Sequence, residues 1–376
     1  MNAGDILDCH YEITDKNGII HIGRVDFDIE PMGSTVVNVP NVQRSMKMKS
    51  FHKVLFFTAK EDTDYCENGY EVCLRISFRI AEGKACKVAE VKGDVKAEET
   101  PLLYHCDSGR CCFTAFDKRK SAFVSVKFGG RELLDRPLQY NFFRAPTDND
   151  VMKYNWYKVH LNDFDVKSYG CELSASENRA EISVTQSFGW SIQQPFCRLK
   201  AVYVIDGSGL DIKCEAEFSN KIDMLPRFGI RLFMPKDFSR AEYFGYGPTE
   251  SYIDKRQACY VGRFAADIGD MHEDYIRPQE NSSHYGCRYL TVSGGDTKVK
   301  FTADKEFSFN ASQFTQEELA AKAHNYELER CESNVICVDY AMAGVGSNSC
   351  GPRLAEKYQL EKPLINAHFH IQISKI

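Results

Sequence analysis

A chain of 376 residues, 43% hydrophobic and 27% charged, is long enough to bury one large core or two, and this composition excludes a disordered or fibrous protein. The net charge of -6, without a long run of like charges, gives no reason to expect a nucleic-acid partner. The N-terminus lacks the basic and apolar regions of a signal peptide, and no apolar run approaches the roughly 18 residues that span a bilayer, so a cytoplasmic protein without a membrane partner is expected.

Strand signals begin at once. HYEIT and IIHIGRVDFDI flank Asp15-Lys16-Asn17-Gly18, and an Asn-Gly turn between strands predicts a hairpin. Tyr70 to Ile80 alternates, with Val72, Leu74, Ile76, Phe78 and Ile80 on one face and Glu71, Arg75 and Arg79 on the other, as a half-buried antiparallel strand does. The polar segment Lys92 to Thr100 has the composition of a linker or a domain boundary. Beyond it strands continue to the C-terminus: LKAVYVI and LDIKCEAEF around Asp206-Gly207-Ser208-Gly209, then TKVKFTA, EFSFNAS, NVICVDYAMAG and AHFHIQISKI. One helix is predicted, after the Thr315-x-x-Glu318 capping box. Strand and helix nowhere alternate as a βα barrel requires, so an all-β protein is expected, a small sandwich followed by a large antiparallel one.

The stretch YNFFRAPTDND, 140–150, sets aromatics beside an arginine and an acidic run. It departs from a calcium loop at the third ligand and at the glycine. A structural corner is expected instead: Pro146 ends a strand, Asn149 or Asp150 caps the turn of VMKYNWYKV, and Arg144 pairs with Asp148 or Asp150. The fifteen cysteines, without a C-x-x-C pair, read as reduced apolar side chains. G-x-S-x-G and phosphate-binding loops are absent. His368-x-His370 puts two imidazoles on one strand face, but no third ligand lies nearby in sequence, so no metal site is assigned. Sugar chemistry needs only two carboxylates, and Glu250, Asp254 and Glu280 stand in turn-rich loops.

Five segments, FFRAPTDND, FGYGPTESYIDK, YIRPQENSSHYGCRYL, SFNASQFTQEELAAKAH and GVGSNSCGP, occur in an order that resembles the C-terminal end of β-galactosidases of glycoside hydrolase family 2. The resemblance implies an immunoglobulin-like β-sandwich over 1–93, incomplete at its N-terminus, and a galactose-mutarotase-like supersandwich over 94–376. In that family the catalytic glutamates and the magnesium ion belong to an earlier TIM barrel. The resemblance therefore implies no catalytic residue, no metal and no cofactor in this chain. It makes Arg144, Asp148, Asn149 and Asp150 a structural signature of the terminal domain. It also implies a barrel-bearing portion or large subunit as partner, an oligomer once assembled, and a β-galactoside sugar as substrate.

In the family the loop written here as Gly346 to Pro352 reaches the mouth of the active site, and the position of Cys350 is a tryptophan in some members and a cysteine in others. Cys350, with Ser349 and Asn348, is thus implied on the aglycone side. Two rival readings remain. A free-standing aldose epimerase shares the fold, and a carbohydrate-binding sandwich would use rings such as Tyr246, Tyr252 and Tyr275.

Overall fold

The computed structural model describes residues 2–39, 52–79, 94–109, 111–346, 352–360 and 363–376. The strand pairings recorded among them are antiparallel, as expected of an all-β chain. The chain forms two compact units. One comprises residues 1–86 with 244–248 and 257–264, and the other comprises 87–243, 249–256 and 265–376. Two short segments beyond residue 93 therefore cluster with the N-terminal strands.

In the first unit a four-stranded sheet runs in the order Gly18–Arg24, Leu7–Asp15, His52–Ala59, Glu71–Arg79. Asp15 pairs with Gly18, leaving Lys16 and Asn17 as the turn. Gly18 has φ +123, which a side chain would resist, and the Asp15 carboxylate accepts from the Asn17 N–H at 2.7 Å. Cys9, Tyr11, Ile13 and Val25 form the core, with Phe27, Leu55 and Phe57 packed against it. Alternation along Glu71–Arg79 predicts Val72 inside, yet Val72 is 50% exposed. The strand lies at the sheet edge, and register shifts in its pairing with His52–Ala59 break the simple period of two.

The second unit opens with a meander of Lys96–Glu99, Leu103–Asp107, Cys111–Asp117, Ala122–Phe128 and Arg131–Glu132. The segment expected to be a linker or a domain boundary thus contributes a strand, Lys96–Glu99. It is an edge strand with a largely exposed burial pattern, which is why its composition hides it.

Two further sheets follow. One has five strands in the order Arg136–Asn141, Arg227–Met234, Asn334–Met342, Phe307–Ser312, His284–Cys287. The other includes, in this order, Asp165–Ser176, Arg179–Gly189, Cys197–Asp206, Gly209–Phe218, Leu364–Lys375, Thr297–Ala303 and Tyr289–Gly294. Aromatics join their inner faces. Tyr140 and Phe228 of the first meet Phe188 and Phe218 of the second at centroid separations of 5.9 and 5.7 Å, and the hydroxyl of Tyr203 donates to that of Tyr140 at 3.2 Å. Phe142, fully buried, lies 4.9 Å from Phe188 and 5.2 Å from Phe196. The aromatics that open YNFFRAPTDND are therefore core, and they fix where its polar half emerges.

Two helices border this core. Gln316–Ala321 is capped by Thr315, whose hydroxyl accepts from the Glu318 N–H at 3.1 Å. The Glu318 carboxylate accepts from the Glu329 N–H at 2.9 Å and so ties the following segment to the helix. Lys153–Lys158 has Met152 at its N-cap and no side-chain cap. The cap expected from Asn149 or Asp150 is not made, because both side chains bond elsewhere.

Candidate functional site

Arg144 is completely buried. Its Nη2 donates to Asp150 Oδ1 at 2.6 Å and to the Gly344 carbonyl at 3.0 Å, and its Nη1 donates to the Ala343 carbonyl at 2.9 Å. The other oxygen of Asp150 accepts from the N–H and hydroxyl of Thr147, at 2.8 and 3.2 Å. A planar guanidinium suits this task because its donors leave in fixed directions toward a carboxylate and two carbonyls at once. The Trp156 ring lies 5.5 Å from it and keeps water out. Asn149 donates to the Val345 carbonyl at 3.5 Å. Asp148, the other sequence-level partner for Arg144, instead pairs with Arg277 at 2.9 Å on the surface.

The segment 343–346 is held from its other side by Asp254. Its Oδ1 accepts from the Val345 N–H at 3.0 Å. A Cβ at Gly344 would lie 2.5 Å from the Asp254 carboxyl carbon, and one at Gly346 would collide with its Oδ2, so a side chain at either position would displace the Asp254 carboxylate. Asp254 Oδ2 is buried without a hydrogen-bond partner among the described residues. Gly344 also donates to the Tyr358 carbonyl at 2.8 Å. The base of the 346–352 loop is thus clamped between an arginine and an aspartate from distant parts of the chain. Asn348, Ser349 and Cys350 themselves lie outside the described residues.

Beneath this clamp lies a second buried network that the sequence does not announce. Arg227, fully buried, donates from Nε to Asp339 Oδ1 at 2.9 Å and from Nη2 to Asp339 Oδ2 and Asn310 Oδ1, while its Nη1 lies 3.5 Å from Glu280 Oε2. Asn310 donates to Glu280 Oε1 at 3.0 Å and to the Asn281 carbonyl at 2.6 Å. Burial works against the Arg227 charge, but Asp339 and Glu280 outweigh it and lift its pKa above the ordinary arginine value. Burial also raises the Glu280 pKa, while Arg227 and Arg144 pull it down.

Glu250, the remaining loop carboxylate, is enclosed as well. Its Oε1 accepts from the Tyr275 hydroxyl and the Lys255 ammonium, and its Oε2 accepts from the Ser282 N–H at 3.0 Å. Glu250 and Glu280 are therefore committed to internal donors and hold loops together. Tyr252 is buried, whereas Tyr246 and Tyr275 are partly exposed. Of the described cysteines, Cys9, Cys106, Cys197, Cys214, Cys259, Cys287 and Cys337 are buried, and burial pushes the Cys106 thiol up to about 11.

His368 and His370 gain a neighbour that sequence distance conceals. Asp211 pairs in register with His370 across adjacent strands, and its carboxylate contacts the His370 Nδ1. Burial lowers the His368 pKa, and His370 beside it, with ring centroids 4.1 Å apart, adds to the effect. Two imidazoles and one carboxylate make a poor set for magnesium, which favours oxygen ligands, so this cluster does not fit the magnesium that the sequence resemblance implies for an earlier barrel.

The family model described as Beta galactosidase small chain matches residues 108–373. The chain belongs to this family. A β-galactosidase of Actinobacillus pleuropneumoniae is 36% identical over 378 residues, covering 100% of this chain and 37% of that protein. A β-galactosidase of Staphylococcus xylosus is 30% identical over 281 residues, covering 74% of this chain and 28% of that protein. The small-chain sequence spans about a third of the length of the curated relatives it matches. Among solved structures it is similar to a galactose mutarotase-like protein from Clostridium acetobutylicum, with 9% identity, a TM-score of 0.41, and coverage of 76% of this chain and 99% of that one.

Proposed function

We propose that this chain is the non-catalytic C-terminal part of a β-galactosidase, which works with a barrel-bearing catalytic portion in hydrolysing terminal β-D-galactosides such as lactose. The observation that carries this reading is the clamp on residues 343–346 in a chain of the small-chain family. Arg144 and Asp254 spend buried polar groups on fixing the base of one loop. A fixed base from which such a loop departs is what a site completed from two portions requires. Glu250 and Glu280 are engaged by internal donors, which supports placing the acid-base chemistry in the partner portion.

In this reading Cys350 lines the subsite for the second sugar. Cys350→Trp in the assembled enzyme should change acceptor use and the balance of transglycosylation to hydrolysis, through a stacked indole of roughly 0.5–1.5 kcal/mol, a few-fold to about tenfold in apparent acceptor affinity. If Cys350 is instead a packed thiol, tryptophan overfills its site and destabilises the chain by roughly 1–3 kcal/mol. Acceptor kinetics measured beside thermal stability separate the two. Unchanged acceptor kinetics with a large stability loss would contradict the subsite assignment.

A further inference from the structure

We propose that Asp211, His368 and His370 form a binding site for a divalent transition metal of the zinc, cobalt or nickel class. The backbone builds it. Antiparallel pairing sets Asp211 opposite His370 and Lys213 opposite His368, so the spacing of two along Leu364–Lys375 aims both imidazoles to the side of the sheet that carries Asp211. One ligand atom from each of the three residues lies within 4.8 Å of the others.

Two features distinguish the cluster from a chance surface grouping. His368 Nε2 is buried and has no hydrogen-bond partner among the described residues. It lies 4.0 Å from Asp211 Oδ1, too far for a hydrogen bond. That separation is within the reach of two ligands on one ion, since metal bonds of about 2.0–2.1 Å set ligand atoms about 3–4 Å apart. All three side chains are only partly exposed, which limits competition from water without closing the approach.

The donor set selects the metal. Imidazoles suit zinc, cobalt, nickel and copper, and one carboxylate supplies charge compensation. Binding exchanges the present contact between His370 Nδ1 and Asp211 Oδ1 for bonds to the ion, with neutral imidazoles as ligands. The neighbouring charges divide. Lys213 opposes a cation, and Asp304, whose N–H donates to the His368 carbonyl at 3.2 Å, adds a negative charge close by. No strand-core residue need move, because the neighbours Ile212, Phe369 and Ile371 point to the opposite, buried side.

The test uses the full chain without a histidine tag, stripped with chelator and titrated with Co²⁺ under reducing conditions. The site predicts binding of about one ion per chain with a visible spectrum of nitrogen and oxygen ligands and no thiolate charge-transfer band. His368→Ala and Asp211→Asn should each weaken it by at least about tenfold. Thermal melting without metal confirms that the variants fold, and His370→Gln serves if either does not. No uptake, uptake unchanged in the variants, or a thiolate band that assigns the ion to cysteines would overturn the proposal.

Discussion

Arg227→Ala should be strongly destabilising. It leaves the buried carboxylates of Asp339 and Glu280 with no cation between them and deprives Asn310 of its donor, a change expected to cost about 3–5 kcal/mol. The loss should depend on pH in a defined direction. Burial already holds the Glu280 pKa above 4.5 in the folded chain, with Arg227 among the groups pulling it down. A carboxyl whose folded pKa is raised favours folding when protonated, and this contribution fades as pH rises through the folded value. Removing Arg227 raises that value further. The stability gap between variant and parent should therefore be smallest below about pH 4.5 and widen toward neutrality. Urea denaturation at two pH values measures it, and Arg227→Met with Asp339→Asn should recover part of the loss. An unchanged midpoint at neutral pH would show that the network carries no stability.

Arg144→Ala should follow closely, and its effect should reach the loop. Asp150, with 5% of its side chain exposed, loses its ion partner, and the carbonyls of Ala343 and Gly344 lose their donors. The expected cost is about 2–4 kcal/mol. Arg144→Lys keeps the charge but not the fork, so it should restore only part of the stability. Arg277→Ala is the control. It removes the exposed pair with Asp148, whose side chains are 63% and 62% accessible, and should cost no more than about 1 kcal/mol. In the assembled enzyme Arg144→Ala should impair acceptor use beyond what lost stability explains, because the clamp ends where the 346–352 loop begins. A fully stable Arg144→Ala chain, or acceptor kinetics unchanged in the folded fraction, would break the link between corner and loop.

Local patterns were legible in the sequence where the physics is local. The turn at Asp206 to Gly209, the alternation of Leu364–Lys375 and the Thr315 cap each follow from residues a few positions apart. So does the pairing of Arg144 with an aspartate of YNFFRAPTDND. The choice of Asp150 over Asp148 as the partner of Arg144 was not legible, because both lie within side-chain reach and only the fold decides which faces inward. Long-range assembly was hidden altogether. Arg227, Glu280, Asn310 and Asp339 lie on separate strands and loops, and Asp211 meets His368 and His370 only through strand pairing across most of the domain. Lys96–Glu99 is hidden for the opposite reason, since an exposed edge strand carries no apolar face.

The proposal that this chain completes an active site it does not itself contain is tested most directly by reconstitution. The chain and the barrel-bearing portion would be purified separately and assayed with a chromogenic β-galactoside, alone and mixed, with co-elution on size exclusion as the binding readout. The expected result is no turnover by this chain alone, a complex on mixing, and hydrolysis by the complex well above that of the barrel-bearing portion alone. Turnover by this chain alone that is abolished by replacing one of its own carboxylates, or a mixture that neither associates nor gains activity, would contradict it.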